Sequence, residues 1–184
     1  MKAKLLLFAA FGALLLALGS CSDDSKTNYS IKQLRLDATD LNNECTARSS
    51  ENPARTDASF LKLDEQGEPV LNEDGQEEKV KVKKYTNELI VREGDNVKVT
   101  FTPGQLVNKC TLTTPDGQTV ELNTENPSLE WTVPARFKDG SEFFGTYVYE
   151  DEDNIYTYTG KIVIWRLTYP RHDPEVDDPD KVEE

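Results

Sequence analysis

Residues able to do covalent or acid–base chemistry are few in this chain of 184 residues. Its single histidine, His172, lies in a stretch of prolines and acids near the C-terminus, so neither a Ser-His-Asp nor a Cys-His arrangement can be built in the rest of the chain. There is no His-Glu-x-x-His, no Cys-x-x-Cys and no glycine-rich phosphate loop, which argues against nucleophilic, zinc-dependent and nucleotide-dependent enzymes. Carboxylates are abundant, and two facing each other across a groove would make a glycoside hydrolase site, but only their separation in space decides that. Among 34 acidic residues a close pair arises by chance, so the expectation is a protein that is not an enzyme and holds no cofactor or metal. Glu150 to Asn154, "EDEDN", gathers the oxygen ligands that calcium prefers, yet it lacks the spacing and the distant bidentate glutamate of an EF-hand loop. It reads as the solvated tip of a hairpin, and Asp64 and Asp74 are read with the same caution.

Two other sets of side chains could carry function. Tyr147 and Tyr149 alternate along one arm of that hairpin and Tyr156 and Tyr158 along the other, so each pair shares a face of its strand. Outward on the same side, the four would form a flat aromatic strip of the kind that stacks on sugar rings. Inward, they would be core, with Phe144, Val148 and Ile155 competing for the buried positions. The second set is Cys45 and Cys110. Outside the cytoplasm they can oxidise to a disulfide, which over so long a loop contributes about 4 kcal/mol in the chain-entropy account, or they can remain two buried thiols.

The elements that must position these groups read as strands. Leu34, Leu36 and Ala38 alternate with polar residues, as do Val97, Val99 and Phe101, and Leu129, Trp131 and Val133. Period two of this kind marks half-buried strands. "EGDN", "TPDG", "FKDG" and "EDEDN" punctuate them as turns, and in Thr114-Pro115-Asp116-Gly117 the proline presets the second position of a type I turn. "GKIVIWRL" is apolar on both faces and reads as a central or covered last strand. Short strands at this spacing give an all-β sandwich or barrel. Phe60 to Tyr85 departs from the rhythm, with two acidic glycine turns and a strand that sets Val80 and Val82 against Lys79, Lys81 and Lys83. It reads as a hairpin or ribbon with edge lysines that discourage pairing with other chains, or as an arm that docks a partner.

The N-terminus carries a different kind of information. Met1 to Lys4 is a basic head, and Leu5 to Leu18 is an unbroken apolar run, long enough for a secretory signal and too short for a membrane span. Leu18-Gly19-Ser20-Cys21 resembles the lipobox of bacterial lipoproteins, and Ser22-Asp23-Asp24-Ser25 resembles the acidic export tag of Bacteroidota surface lipoproteins. The resemblance implies that Cys21 becomes the acylated first residue and that the protein is anchored on the outer face of the outer membrane. Removing Lys2 and Lys4 with the signal takes the formal charge from −13 to −15. Nucleic acid and anionic lipid surfaces are poor partners for so acidic a chain.

Asp139 to Tyr149, with Gly145-Thr146-Tyr147 at its centre, resembles the sixth strand of immunoglobulin-like domains, where an acidic turn leads into Gly-x-Tyr at a corner. Tyr149 stands where that family has a cysteine, and Trp131 lies in the strand just before this one rather than in the third strand. The resemblance spans about 89–167 and implies an immunoglobulin-like β-sandwich, a scaffold that by itself fixes no activity. The expected organisation is a lipoprotein signal peptide over 1–20, a lipidated cysteine and tether over 21–30, the sandwich over 31–169 with a ribbon insertion at about 60–85, and a flexible acidic tail over 170–184. The expected function is a binding or display module for a glycan or protein ligand. The alternatives are an accessory subunit of an envelope complex docking through the ribbon and, third, a carboxylate-pair glycoside hydrolase.

Overall fold

The computed structural model describes residues 26–102 and 109–167. The signal segment, Cys21, the export tag and the tail from residue 170 lie outside the described residues. Twelve strands account for nearly all the regular structure: β1 Thr27–Ile31, β2 Leu36–Asp40, β3 Cys45–Arg48, β4 Arg55–Leu61, β5 Lys79–Tyr85, β6 Glu88–Val91, β7 Asn96–Phe101, β8 Lys109–Thr113, β9 Thr119–Asn123, β10 Ser128–Thr132, β11 Ser141–Glu150 and β12 Asn154–Arg166. The alternating apolar positions make them strands, and the positive-φ glycines Gly94, Gly117 and Gly140 make three of the turns between them. The protein is all-β, as the alternation predicts.

The strands form a larger sheet in the order β1-β12-β11-β8-β9, with β6 also on β12, a smaller sheet in the order β10-β7-β2-β3, and a separate ribbon, β4-β5. Inward positions of the two sheets meet in one core that includes Leu36, Val97, Val99 and Phe101 from the smaller sheet and Leu112, Phe143, Ile162 and Ile164 from the larger. The arrangement is consistent with a β-sandwich. Trp131 closes one flank with its ring edge-on to Phe143 at 5.3 Å, and its indole N–H donates to Asp116 at 3.2 Å, so this large side chain is buried without an orphaned polar atom.

The long last strand is central, as its two apolar faces require. One edge pairs with β11 along its length, from Ser141 opposite Ile164 to Glu150 opposite Ile155. The other edge is shared. Parallel β1 covers Asn154 to Tyr158, and parallel β6 covers Val163 to Arg166. Between them the chain leaves the larger sheet, with the Leu34 N–H donating to the Thr159 carbonyl at 3.0 Å, and crosses into β2 of the smaller one. Ser49 fixes the crossing by accepting the Leu36 N–H at 2.8 Å and donating its hydroxyl to the Leu34 carbonyl at 2.7 Å.

Two boundaries differ from the sequence expectation. Thr27–Ile31 is a strand rather than part of the tether, because it is held by backbone pairing to β12 and not by an apolar face; four of its five residues are exposed. The ribbon begins at Arg55, where exposed polar residues hide the strand from a hydrophobic reading. Its base is fastened by Lys84, a buried ammonium that donates to the carbonyls of Thr46, Tyr85 and Glu88 at 2.6, 3.2 and 2.8 Å. Its far end is fastened by Arg92, which donates to the Leu61 carbonyl and stacks over Phe60 at 5.7 Å.

The crossing requires Gly160. A Cβ there would lie 2.1 Å from the Leu34 carbonyl oxygen, a backbone atom with no rotamer through which to move away. Its register partner Gly145 is also crowded, but by the side-chain ends of Leu34 and Leu36 at 3.0 Å and the Cys110 sulfur at 3.2 Å. Gly160→Ala should cost about 3 kcal/mol or more, at or beyond the usual range for overpacking, and Gly145→Ala should cost less. Urea unfolding midpoints of the two variants test this, and a Gly160→Ala variant as stable as the parent would show that the crossing is not what constrains this position.

Candidate functional site

The β11–β12 register answers the question of the tyrosines. Tyr147 lies opposite Tyr158 and Tyr149 opposite Tyr156, so all four share one face of the hairpin. That face is the inner one, because Phe143 on β11 and Ile162 and Ile164 on β12 have the same parity and are fully buried. Tyr147 is 8 % exposed and belongs to the core, while Tyr149 and Tyr158 pack against it. Toward the hairpin tip, beyond the level of Leu36 and Phe101 where the described strands of the smaller sheet end, the aromatic face is half-buried.

A fifth tyrosine, Tyr29 of β1, extends the row. It stacks on Tyr156 with centroids 5.3 Å apart and planes 14° from parallel, and Tyr156 in turn lies 5.8 Å from Tyr149. Tyr29 and Tyr156 thus turn ring faces to one another, and of the two arrangements the sequence allows the four tyrosines take the inward, packed one. Burial and the neighbouring Asp151 carboxylate raise the Tyr156 hydroxyl above its ordinary pKa, and burial does the same for Tyr147. Tyr147 is also the seventh residue of its ten-residue strand, not a residue at the corner that precedes it.

Cys45 and Cys110 are both buried and are not bonded to each other. Cys45, at the start of β3, accepts the Ile90 N–H at 3.4 Å beneath β6, whereas Cys110 lies beneath Gly145 in the middle of the larger sheet. Their strands belong to different sheets and are not neighbours, so the pair is two packed thiols. Burial pushes the Cys110 thiol up to about 11, the opposite of what a reactive cysteine needs.

One carboxylate pair does stand close together. Asp40, at the end of β2, is 1 % exposed, and Asp95, in the turn before β7, is 8 % exposed. The Asn43 side-chain amide bridges them at 2.8 and 3.1 Å, the Asn42 N–H donates to Asp40 at 2.9 Å and the Arg92 N–H donates to Asp95 at 2.6 Å. Burial, reinforced by the like charge of Asp95 and a hydrogen bond between the two carboxyl groups, raises Asp40 from 3.8 to about 6 against the lowering effect of the Asn42 and Asn43 amides. Sequence spacing gave no hint of this pair, because two turns remote in the chain bring it together. The carboxyls are walled in and occupied by turn amides, so they brace those turns and leave no room for a substrate. At the hairpin tip Asp151 is similarly engaged, accepting the N–H groups of Asp153 and Asn154 at 3.0 and 2.7 Å. Among the described residues no group of three or more His, Cys, Asp and Glu side chains is placed to hold a metal ion.

Among the described residues a hollow lies elsewhere, on the outer side of the larger sheet beside the crossing. It encloses about 730 Å³ between the Ser49–Pro53 segment, Lys32 and the β11–β12 surface at Phe144 and Lys161. Phe144, 40 % exposed, supplies an apolar ring, and Ser50, Asn87 and Glu142 supply hydrogen-bonding groups around it. A ring face with a polar rim is the usual make-up of a small-ligand site. A second hollow of about 550 Å³, beside Asp37, Thr46 and Lys84, has no aromatic residue in its wall. Period two places Phe144 on the outer face of its strand, but the hollow itself could not be read from sequence, since its other wall comes from residues before β4 and after β5.

No protein-family model, curated protein or solved structure matches this chain. Its functional reading rests on the residues and their geometry.

The acid pair makes a prediction about pH. A carboxyl whose folded pKa lies above its unfolded value favours the fold when protonated, so its contribution is complete below pH 3.8 and is lost as the pH rises through about 6. The parent protein should therefore gain on the order of 1 kcal/mol from this group between pH 7.5 and pH 5, and Asp40→Asn should remove most of that gain. Denaturant midpoints at the two pH values check it, and equal pH dependence in parent and variant would contradict it.

Proposed function

We propose that the protein is a lipid-anchored lipoprotein on the outer face of the outer membrane, with one immunoglobulin-like β-sandwich that works as a binding module for a glycan. The observation that carries the binding reading is the hollow with the exposed Phe144 ring at its floor and hydrogen-bonding groups at its rim. Cyclic sugars present an apolar C–H face and a ring of hydroxyls, and an aromatic face beside amides, hydroxyls and charged groups complements both.

The immunoglobulin-like assignment is supported by how the strands cross. β7 pairs with β10 in one sheet while β8 pairs with β11 and β11 with β12 in the other, the exchange that places B beside E and C beside F and G in that family. β9 then occupies the extra position next to C, and β2 and β6 flank the B and G equivalents on opposite sheets, with β3, β4 and β5 inserted between them. The missing cysteine at Tyr149 is a departure from the pattern. The anchor is supported by the lipobox-like Leu18–Cys21 and by geometry. Cys21 precedes Lys26 by five residues, so an acylated Cys21 would keep the β1 end of the domain within about 18 Å of the headgroups. The walled-in Asp40–Asp95 pair supports a role without catalysis.

Docking of a protein partner through the ribbon has an observation of its own. Leu41, Leu63 and Leu71 are exposed, at 53, 37 and 58 %, in the turn that follows β2 and in the loops of the ribbon. Both lie at the end of the domain opposite Lys26, where a tethered protein would present them outward.

Changing Cys21 to alanine should release the protein from the membrane fraction. In glycan-array screening, Phe144→Ala should lose the parent's signals while Leu63→Ala with Leu71→Ala keeps them. The reverse, with no glycan signal and a partner lost only on changing the leucines, would replace the glycan reading with the docking one.

A further inference from the structure

The edge of β12 contains a gap one residue long, and it opens into the hollow beside Phe144. In β12 the backbone groups of Thr159, Lys161 and Val163 point away from β11, toward the edge shared by β1 and β6. The Thr159 carbonyl is taken by the Leu34 N–H at 3.0 Å, and the Val163 N–H by the Asn87 carbonyl, also at 3.0 Å. Lys161 lies between them, opposite neither β1, whose pairing ends at Tyr158, nor β6, whose pairing begins at Val163. No described residue supplies a partner to the Lys161 N–H or carbonyl on that side. The gap is a consequence of the crossing, because the chain that would have continued β1 along the edge turns inward over Gly160 instead.

An unpaired N–H and carbonyl on one residue of a strand, aimed into a hollow, form a ready donor and acceptor whose desolvation is offset only if a ligand uses both. Leu34 and Asn87 close the gap at its two ends, so an extended peptide cannot be added along it as a new strand. A compact ligand carrying one strong acceptor and one donor on adjacent atoms can reach both groups. The Phe144 ring stands on the outer face of β11 opposite Lys161, beside the gap, and is available to a methyl group or a pyranose face. The Lys161 ammonium is held on Glu142 at 2.7 Å, so the outer rim is charge-balanced and favours a neutral ligand over an anion.

We propose that this gap is a recognition site for an N-acetylated hexosamine, with the acetamido oxygen accepting the Lys161 N–H, the neighbouring ring hydroxyl donating to the Lys161 carbonyl, and the acetyl methyl or ring face on Phe144. This rests on the glycan-binding reading above and narrows it to a sugar class. An amide carbonyl is a stronger acceptor than the hydroxyl that an unmodified hexose would place there, and that difference is the source of selectivity.

The test is calorimetric titration of the full chain in detergent with N,N′-diacetylchitobiose, with its de-N-acetylated counterpart and with cellobiose, alongside amide NMR of the same samples. Expected are binding of the acetylated disaccharide at least about tenfold tighter than either of the others, a shift of the Lys161 amide resonance on saturation, and loss of binding in Phe144→Ala with the remaining amide spectrum unchanged. Equal affinity for cellobiose and the acetylated sugar, abolished by Phe144→Ala, would overturn the acetamido assignment and leave glycan binding at this hollow in place. Acetylated-sugar binding that shifts amides elsewhere and survives Phe144→Ala would overturn the location. No binding of any of the three, together with a silent glycan array, would overturn both readings.

Discussion

The close approach of the Leu34 backbone to Gly160 is the contact on which the arrangement of the domain turns. A chain that begins as an edge strand of the larger sheet must leave it and start the smaller sheet within a few residues, and it can do so only where β12 has no side chain in the way. Several features follow from that passage. Leu34 and Leu36 are delivered into the core over Gly145, Ser49 satisfies the polar groups exposed by the turn inward, and β12 is left with an edge divided between two parallel partners. A methyl group at residue 160 would displace backbone, whereas one at residue 145 would press on side-chain ends. The two glycines face each other in the register but carry different shares of the constraint.

At the far end of the domain buried charges add to the apolar packing. Asp40 and Asp95 hold the β2–β3 and β6–β7 turns together through Asn43, and Arg92 reaches from the same turn to Leu61 and Phe60 at the base of the ribbon loops. Each buried charge has partners, as it must in a low-dielectric setting. Two like charges at such a distance are costly when both are ionised, so this end of the molecule is held most firmly when the pair keeps a proton. Among the described carboxylates, this pair is thus one whose protonation state bears on the fold.

The sequence made the elements legible where burial drives them. Leu36-Asp37-Ala38, Val97 to Phe101 and Leu129 to Trp131 are strands because one face is apolar, and that alternation is visible without coordinates. It was blind to β1, whose residues are mostly exposed and which is a strand only through its parallel ladder with β12. Period two also grouped the tyrosines correctly by strand, but facing is decided across strands: only the register of Tyr147 with Tyr158, beside buried Phe143 and Ile162, shows that the shared face is the inner one. The acid pair and the hollow escaped because both are built from segments far apart in the chain. Gly160 is a glycine in an apolar run, and nothing local says that a carbonyl from Leu34 will lie against it.

These constraints bear on where a ligand can bind. Inner-face aromatics are engaged in packing: Tyr29 stacks on Tyr156, and Tyr149 leans on Tyr156 at a tilt, so much of their ring surface goes to holding the hairpin. In the glycan-binding reading proposed above, recognition falls to a place where the fold stops short of closing itself. On the larger sheet that place is the gap at Lys161, where neither β1 nor β6 reaches and where Phe144 stands exposed across the register. The gap is flanked by hydrogen bonds on both sides, from Leu34 on one and to Asn87 on the other, so its donor and acceptor are placed by the fold before any ligand arrives. Preorganisation of this kind reduces the ordering cost of binding, which a small neutral ligand with few contacts could not otherwise offset. The same crossing that the core requires thus leaves the Lys161 backbone groups unpaired, and under the proposed reading any change that restored a continuous edge along β12 would remove the binding groups along with the crossing.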